Sequence, residues 1–169
     1  MDTLVLCMKT KKLKGLDELL ILLQSKKIVI TTGVFDVPHV GHRRYLSKAK
    51  ELGDVLILIL HANNLINLRK GPSRPIYTEK TRIKRISYGK AYRCVDYILI
   101  AQTQENVYDA IHKLNPDVLV TSVTTEDYEN CPKTMIRLFS GEIKVEILEP
   151  QSELHSSDLI NKRKLKKLI

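Results

Sequence analysis

Thr31-Thr32-Gly33-Val34-Phe35-Asp36-Val37-Pro38-His39-Val40-Gly41-His42 is the stretch on which the reading of this chain turns. The run from Lys27 to Thr32 is rich in β-branched residues and predicts a short strand entering a glycine turn at Gly33. A helix is expected to leave at about His39, which puts His39 and His42 on one face of its first turn. The first N–H groups of a helix have no intrahelical partner, and the helix dipole favours anions there. Two imidazole donors at that point suit polyphosphate binding and the stabilisation of charge at a reacting phosphorus.

Outward from this stretch the chain alternates. Val40 to Leu52 predicts a helix ended by Gly53, Val55 to His61 a buried strand, and Asn63 to Pro75, with Gly71, Pro72 and Pro75, a loop. Thr78, a predicted N-cap, opens a helix to about Ser87, followed by a strand from Val95 to Ala101, a helix from Glu105 to Leu114 and a strand from Asp117 to Thr121. After a mixed segment come a strand near Lys144 to Leu148 and a closing helix from about Ser156. Upstream, apolar residues at 13, 16, 19, 20 and 23 predict an amphipathic N-terminal helix. This pattern implies an α/β fold, a Rossmann-like parallel sheet with helices on both faces, whose ligands bind beyond the carboxyl ends of the strands. The whole chain, 1–169, is expected to be one domain: a helical extension over 1–25, a core over 26–163 and a basic helix end over 164–169.

Composition narrows the function classes. A hydrophobic fraction of 43% and a charged fraction of 28% are ordinary for a globular protein, and no apolar run has membrane-spanning length. Cys7, Cys94 and Cys131 are odd in number and far apart, which excludes a disulfide framework and a zinc knuckle and makes a cytoplasmic setting the default. The net charge of +9 gathers in two tracts, Lys9 to Lys14 and Lys162 to Lys167. Such tracts attract polyanions, or are simply solvated helix faces. A nucleic-acid-binding module would need a stacking platform, which two Phe and seven Tyr do not supply in any recognisable pattern. No G-x-G-x-x-G follows a strand, and Gly89-Lys90-Ala91 lacks the features of a P-loop. His61, His112 and His155 are not spaced to complete a metal site with His39 and His42, so no protein metal site is expected.

Gly33-x-Phe35-Asp36-x-x-His39-x-Gly41-His42 resembles the signature of the cytidylyltransferase-like nucleotidyltransferases. The resemblance continues through Gly53-Asp54-Val55-Leu56, Lys70-Gly71-Pro72-Ser73-Arg74-Pro75-Ile76, Arg82, Val95-Asp96-Tyr97 and Pro116-Asp117-Val118 to Ser156-Ser157-x-Leu159-Ile160. The Lys-Gly-Pro-Ser-Arg-Pro block is most similar to the adenylyltransferases that make ADP-heptose from a heptose 1-phosphate, next to glycerol-3-phosphate cytidylyltransferases. The resemblance implies transfer of a nucleotidyl group from a nucleoside triphosphate to a phosphorylated small molecule, with release of pyrophosphate, Mg²⁺ carried on the triphosphate, and a homodimer. It implies that His39 and His42 stabilise charge at the α-phosphate while Lys70, on the predicted loop, closes over the phosphates. Thr32, Gly33, Val34, Phe35, Gly41, Arg82, Ser156 and Ser157 would bind the nucleotide, with Gly33 and Gly41 permitting close approach and Arg82 facing the β- and γ-phosphates. Asp36 either holds the turn or contacts the acceptor, and Asn63 and Thr121 are expected on the acceptor side. Asn63, Thr121-Ser122 and His155 depart from the family pattern, and these departures fall where base, ribose or acceptor would bind. A degenerate protein that keeps the nucleotide pocket without turnover is the remaining alternative.

Overall fold

The computed structural model describes residues 4–7, 15–122, 130–139 and 141–149. Ser156, Ser157, His155, both basic tracts and the expected closing helix lie outside them. The described chain runs β1 Leu4–Cys7, α1 Leu16–Leu22, β2 Ile28–Gly33, α2 Val40–Lys50, β3 Val55–His61, α3 Asn63–Lys70, α4 Glu79–Tyr88, a 3-10 turn Lys90–Tyr92, β4 Tyr97–Ala101, α5 Gln104–Leu114, β5 Val118–Ser122, α6 Asn130–Phe139 and β6 Lys144–Leu148. Six strands form one sheet in the order β1-β4-β3-β2-β5-β6. β2 to β6 are parallel, and β1 pairs antiparallel with β4 through the register Leu4↔Ile100 to Cys7↔Tyr97.

The Rossmann-like reading therefore holds, with one addition. Leu4–Cys7, expected to be part of a helical extension, is an edge strand. The second correction concerns Asn63–Lys70, read as loop and found as helix α3. Its prolines and Gly71 all come after it, so they end the helix rather than prevent it.

Alternation along the central strands explains the layers. Leu56, Leu58 and Leu60 of β3 pack with Leu46 and Ala49 of α2 and Ile86 of α4. Ile57 and Ile59 face the other way, against Leu19 of α1, Leu65 of α3, Ile111 of α5 and Phe139 of α6. A strand buried on both faces reads as one apolar run, as β3 does. Helix starts are local: Thr78 Oγ1 accepts from Thr81 N, and Thr103 Oγ1 from Asn106 N at 3.2 Å. The amino ends of the strands are tied by aspartates. Asp54 accepts from Lys27 N at 2.8 Å, Asp96 from Leu56 N at 2.9 Å, and Asp117 from Ile28 N at 2.6 Å. Strand order reverses between β2 and β5, so the crevice at their carboxyl ends is the switch point where such sheets take ligands. Tyr45 of α2 spans it, its hydroxyl 2.7 Å from Thr31 Oγ1 on β2 and donating to Val120 O on β5. No helix among the described residues is long and apolar enough to cross a membrane.

Candidate active site

α2 begins at the switch point with a cap made of imidazoles. His39 is the N-cap, in extended backbone at φ −138°, and its Nδ1 accepts from Gly41 N at 3.1 Å. In return His42 Nδ1 accepts from His39 N at 3.3 Å, the reciprocal pattern that Ser and Glu usually supply. The two ring centroids are 3.9 Å apart. Because each Nδ1 is an acceptor, a neutral ring carries its hydrogen on Nε2, the nitrogen not engaged by the cap. The pair is thus a set of two Nε2–H donors held by the backbone at a helix N-terminus. Burial pulls the pKa of His42 from 6.5 down to about 3, helped by His39 and by Lys70. At neutral pH His42 gives a hydrogen bond without adding a charge.

The turn before α2 positions these rings. Phe35 has φ 46°, and its ring centroid lies 4.8 Å from that of His42. A Cβ on Gly33 would come within 2.7 Å of the Phe35 ring. The close approach expected at Gly33 is therefore made by this phenylalanine. Gly41 is buried in the first turn of α2, where its N–H serves the His39 cap. Tyr92, from the 3-10 turn, donates its hydroxyl to His39 O at 3.3 Å and steadies the cap from behind.

Asp36 holds the turn before α2 to the segment that precedes α4. Only 2% exposed, it accepts from Ile76 N and Tyr77 N, each at 2.9 Å, and lies 2.9 Å from Arg74 Nε. The carboxylate anchors the Gly/Pro segment between α3 and α4 to the β2–α2 turn. Arg82, on α4, is fully buried. Its guanidinium donates to Val34 O at 2.8 Å, Asn63 Oδ1 at 3.0 Å and Tyr77 O at 3.2 Å. Those bonds brace the ends of β2 and β3 and the start of α4. Asn63, at the first position of α3, is committed to this brace.

Lys70 ends α3, half-buried, and lies in electrostatic reach of both His42 and His61. Thr32, Val34 and Thr121 are half-buried at or just past the carboxyl ends of β2 and β5. The structure brings His39, His42, Lys70, Gly33, Phe35, Gly41, Thr32 and Val34 to one end of the sheet. His61 was not read as a site residue. It is the last residue of β3 and 3% exposed, and its Nδ1 is buried without a hydrogen-bond partner. An unsatisfied buried nitrogen costs about 1–3 kcal/mol. Burial, with Arg69, Arg82 and Lys70, takes its pKa from 6.5 to about 3. Among the described residues no group of three or more His, Cys, Asp or Glu side chains could hold a metal ion.

A family model described as cytidylyltransferase-like matches residues 30–162. The bifunctional protein HldE of Campylobacter jejuni is 37% identical over 159 residues, which cover 93% of this chain and 32% of that protein. HldE of Helicobacter pylori is 39% identical over 127 residues, 75% of this chain and 26% of that protein. The chain thus spans about a third or less of the curated relatives it matches. Among solved structures, the lipopolysaccharide core biosynthesis protein of Thermoplasma volcanium superposes with a TM-score of 0.56 at 25% identity, covering 78% of this chain and all of that one. A pantoate-beta-alanine ligase from Francisella tularensis shares the fold at 14% identity, with a TM-score of 0.56 over 92% of this chain and 77% of its own.

Proposed function

This chain belongs to the cytidylyltransferase-like family, and on that premise we propose that it transfers a nucleotidyl group from a nucleoside triphosphate, ATP in preference, to a sugar 1-phosphate such as heptose 1-phosphate. An oxygen of the acceptor phosphate attacks the α-phosphorus; the new P–O bond forms as the bond to the β-phosphate bridging oxygen breaks, and pyrophosphate leaves. Both reactants are anions, so the protein's work is to neutralise and align them. The observation that carries the reading is the imidazole cap of α2, which holds the rings of His39 and His42 at a helix N-terminus beside the switch point, with each Nε2 outside the cap. Lys70 supplies mobile positive charge beside them, and Asp36 and Arg82 hold the segments on which that geometry depends. No general base is needed, because the attacking phosphate is already ionised.

Mg²⁺ fits this scheme as a passenger of the triphosphate. Asp36 is the acidic side chain in the β2–α2 turn and is engaged by Arg74, so the phosphates and water would supply the metal's ligands. Thr32, Val34, Ser156 and Ser157 belong to the nucleotide side of the reading and Thr121 to the acceptor side. A cytoplasmic setting follows from the need for a nucleoside triphosphate. A homodimer belongs to the same reading: Leu68 and Tyr88, 84% and 81% exposed, are apolar surface that a second copy would cover, and light scattering tests it. Pyrophosphate release, measured with ATP or CTP against a panel of sugar 1-phosphates and glycerol 3-phosphate, decides the activity. Turnover with ATP and a sugar 1-phosphate is expected. Turnover only with CTP and glycerol 3-phosphate would replace the substrate pair, and nucleotide binding with no turnover for any pair would leave only a binding protein.

A further inference from the structure

We infer that Tyr92 is a positioning residue of the site proposed above, on whose reading this inference rests: its hydroxyl sets the angle at which α2 presents the His39 imidazole. Gly89, Lys90 and Ala91, whose sequence lacks the features of a P-loop, lead into the 3-10 turn that ends in Tyr92. The turn is held at both ends, Tyr92 N donating to Gly89 O at 2.8 Å and Val95 N to Tyr92 O at 3.0 Å. A Cβ on Gly89 would come within 2.5 Å of Arg85 O and 2.9 Å of the Tyr92 ring, so glycine lets the ring lie this close to the end of α4. Tyr92 is 8% exposed and belongs to the apolar cluster that holds Phe35, Leu46 and Ile86. Burial pushes its pKa up, so the hydroxyl keeps its proton and stays a donor. That donor reaches His39 O at 3.3 Å, across 53 residues of sequence.

His39 O is the point where such a bond has leverage over the ring. This carbonyl lies in the peptide plane that joins the N-cap to α2. Rotation about the His39 ψ, 179° here, would swing the Cα–Cβ bond and the imidazole relative to the helix. Two donors meet at the oxygen: Arg43 N from within α2 at 3.2 Å, and the Tyr92 hydroxyl from outside it. The remaining bonds of the cap, from Gly41 N to His39 Nδ1 and from His39 N to His42 Nδ1, stay inside the first turn. They fix the two rings relative to each other, and Tyr92 ties that turn to the rest of the protein. Asp96, four residues further on, does the same at the other end of α2. Its Oδ2 is 2.7 Å from Lys50 Nζ and accepts from Leu56 N of β3 at 2.9 Å. The short span from Tyr92 to Asp96 therefore holds α2 at its first and last turns. Aim matters most for a donor used at the transition state, where a misplacement of about 1 Å can cost about 10²-fold in rate. The hydroxyl touches only the backbone of His39, so its effect belongs to kcat rather than to substrate binding.

The test is a double-variant cycle. Pyrophosphate release from ATP and a sugar 1-phosphate is measured for the native full chain, Tyr92→Phe, His39→Ala and the two together. Phenylalanine keeps the buried ring and removes the donor. Tyr92→Phe should lower kcat about ten-fold, with KM for each substrate within about three-fold of native. In the His39→Ala background the same change should lower kcat less than about two-fold, because the hydroxyl acts through the imidazole. An unchanged kcat in Tyr92→Phe, a loss confined to KM, or equal losses of kcat in both backgrounds overturns the inference. Amide hydrogen exchange reads the same link without turnover. In Tyr92→Phe the N–H groups of His39 and Gly41 should exchange about five-fold faster or more, while those of Ile57 and Leu58 in β3 keep their native rates. Native exchange at His39 and Gly41 overturns the inference, and so does an equal rise at all of these positions, which would make the hydroxyl a general stabiliser. If no triphosphate and acceptor turn over, the functional proposal fails, and the exchange rates alone decide whether Tyr92 holds the cap.

Discussion

Lowering the pH from 7.5 to 5 should destabilise this protein through two histidines. His42 and His61 ordinarily titrate near 6.5 and are held at about 3 in the folded chain, chiefly by burial. Below pH 6.5 the unfolded chain takes up protons that the folded chain refuses until about pH 3. Their stability contribution is therefore whole above pH 6.5 and is lost as the pH falls from 6.5 through 3. Between pH 7.5 and 5 one such ring accounts for about 2 kcal/mol, and the pair for about 4, at about 1.4 kcal/mol per pH unit and proton. That is a large part of a typical domain's total of about 5–15 kcal/mol. Protonation of His42 would also take the Nδ1 lone pair that accepts His39 N, so the cap opens in the same step. Urea denaturation at half-unit steps of pH measures the profile, and His61→Leu isolates one ring. The variant should lose about 2 kcal/mol less than the native protein over that range. Parallel profiles for native protein and His61→Leu would refute the reasoning, because every other titrating group is common to both.

Four further outcomes follow from the same geometry. His42→Ala should lower kcat by about 10²–10³ while the nucleotide KM moves much less, as expected for a donor used at the transition state. His39→Ala should do the same and also cost about 1 kcal/mol of stability in urea, since it removes the N-cap of α2. Asp36→Ala strands Ile76 N, Tyr77 N and Arg74, so urea unfolding should show a loss of about 3 kcal/mol; a native-like midpoint would mean the anchor is not needed. Gly33→Ala drives a methyl against the Phe35 ring and should cost about 1–3 kcal/mol by melting, with reduced turnover as the ring presses on His42.

The parts of the fold legible in the sequence are those that local physics decides. β2, α2 and β3 follow from a β-branched run, a glycine turn and an apolar run, and each is found within about three residues of its expected bounds. β1 was illegible because Leu4–Cys7 is too short for its own period and becomes a strand only by pairing with β4. α3 was hidden by the proline-rich segment after it, although Leu65 and Ile66, buried on one side, carry its face. In the site, His39, His42 and Lys70 could be named from motif and spacing. The partners of Asp36 and Arg82 could not, because Ile76, Tyr77 and Val34 lie 40, 41 and 48 residues away and are brought near only by the fold. His61 escaped for the same reason: a buried nitrogen lacking a partner is a property of packing, and one residue letter does not carry it.

The two ends of the sheet divide the charge between them, and that division adds to the burial that keeps His42 and His61 neutral. Asp54, Asp96 and Asp117 sit at the amino ends of the strands, each spent on a backbone N–H of a neighbour, with Lys50 paired to Asp96 at 2.7 Å. At the carboxyl ends the named groups are Arg69, Lys70 and Arg82 together with two imidazoles, and Asp36 is tied to Arg74. A cationic His61 would stand among Arg69, Arg82 and Lys70, and a cationic His42 beside Lys70, and each would be repelled. Neutral rings supply directed Nε2–H or Nδ1–H donors without that repulsion, while lysine and arginine supply the field that attracts phosphate.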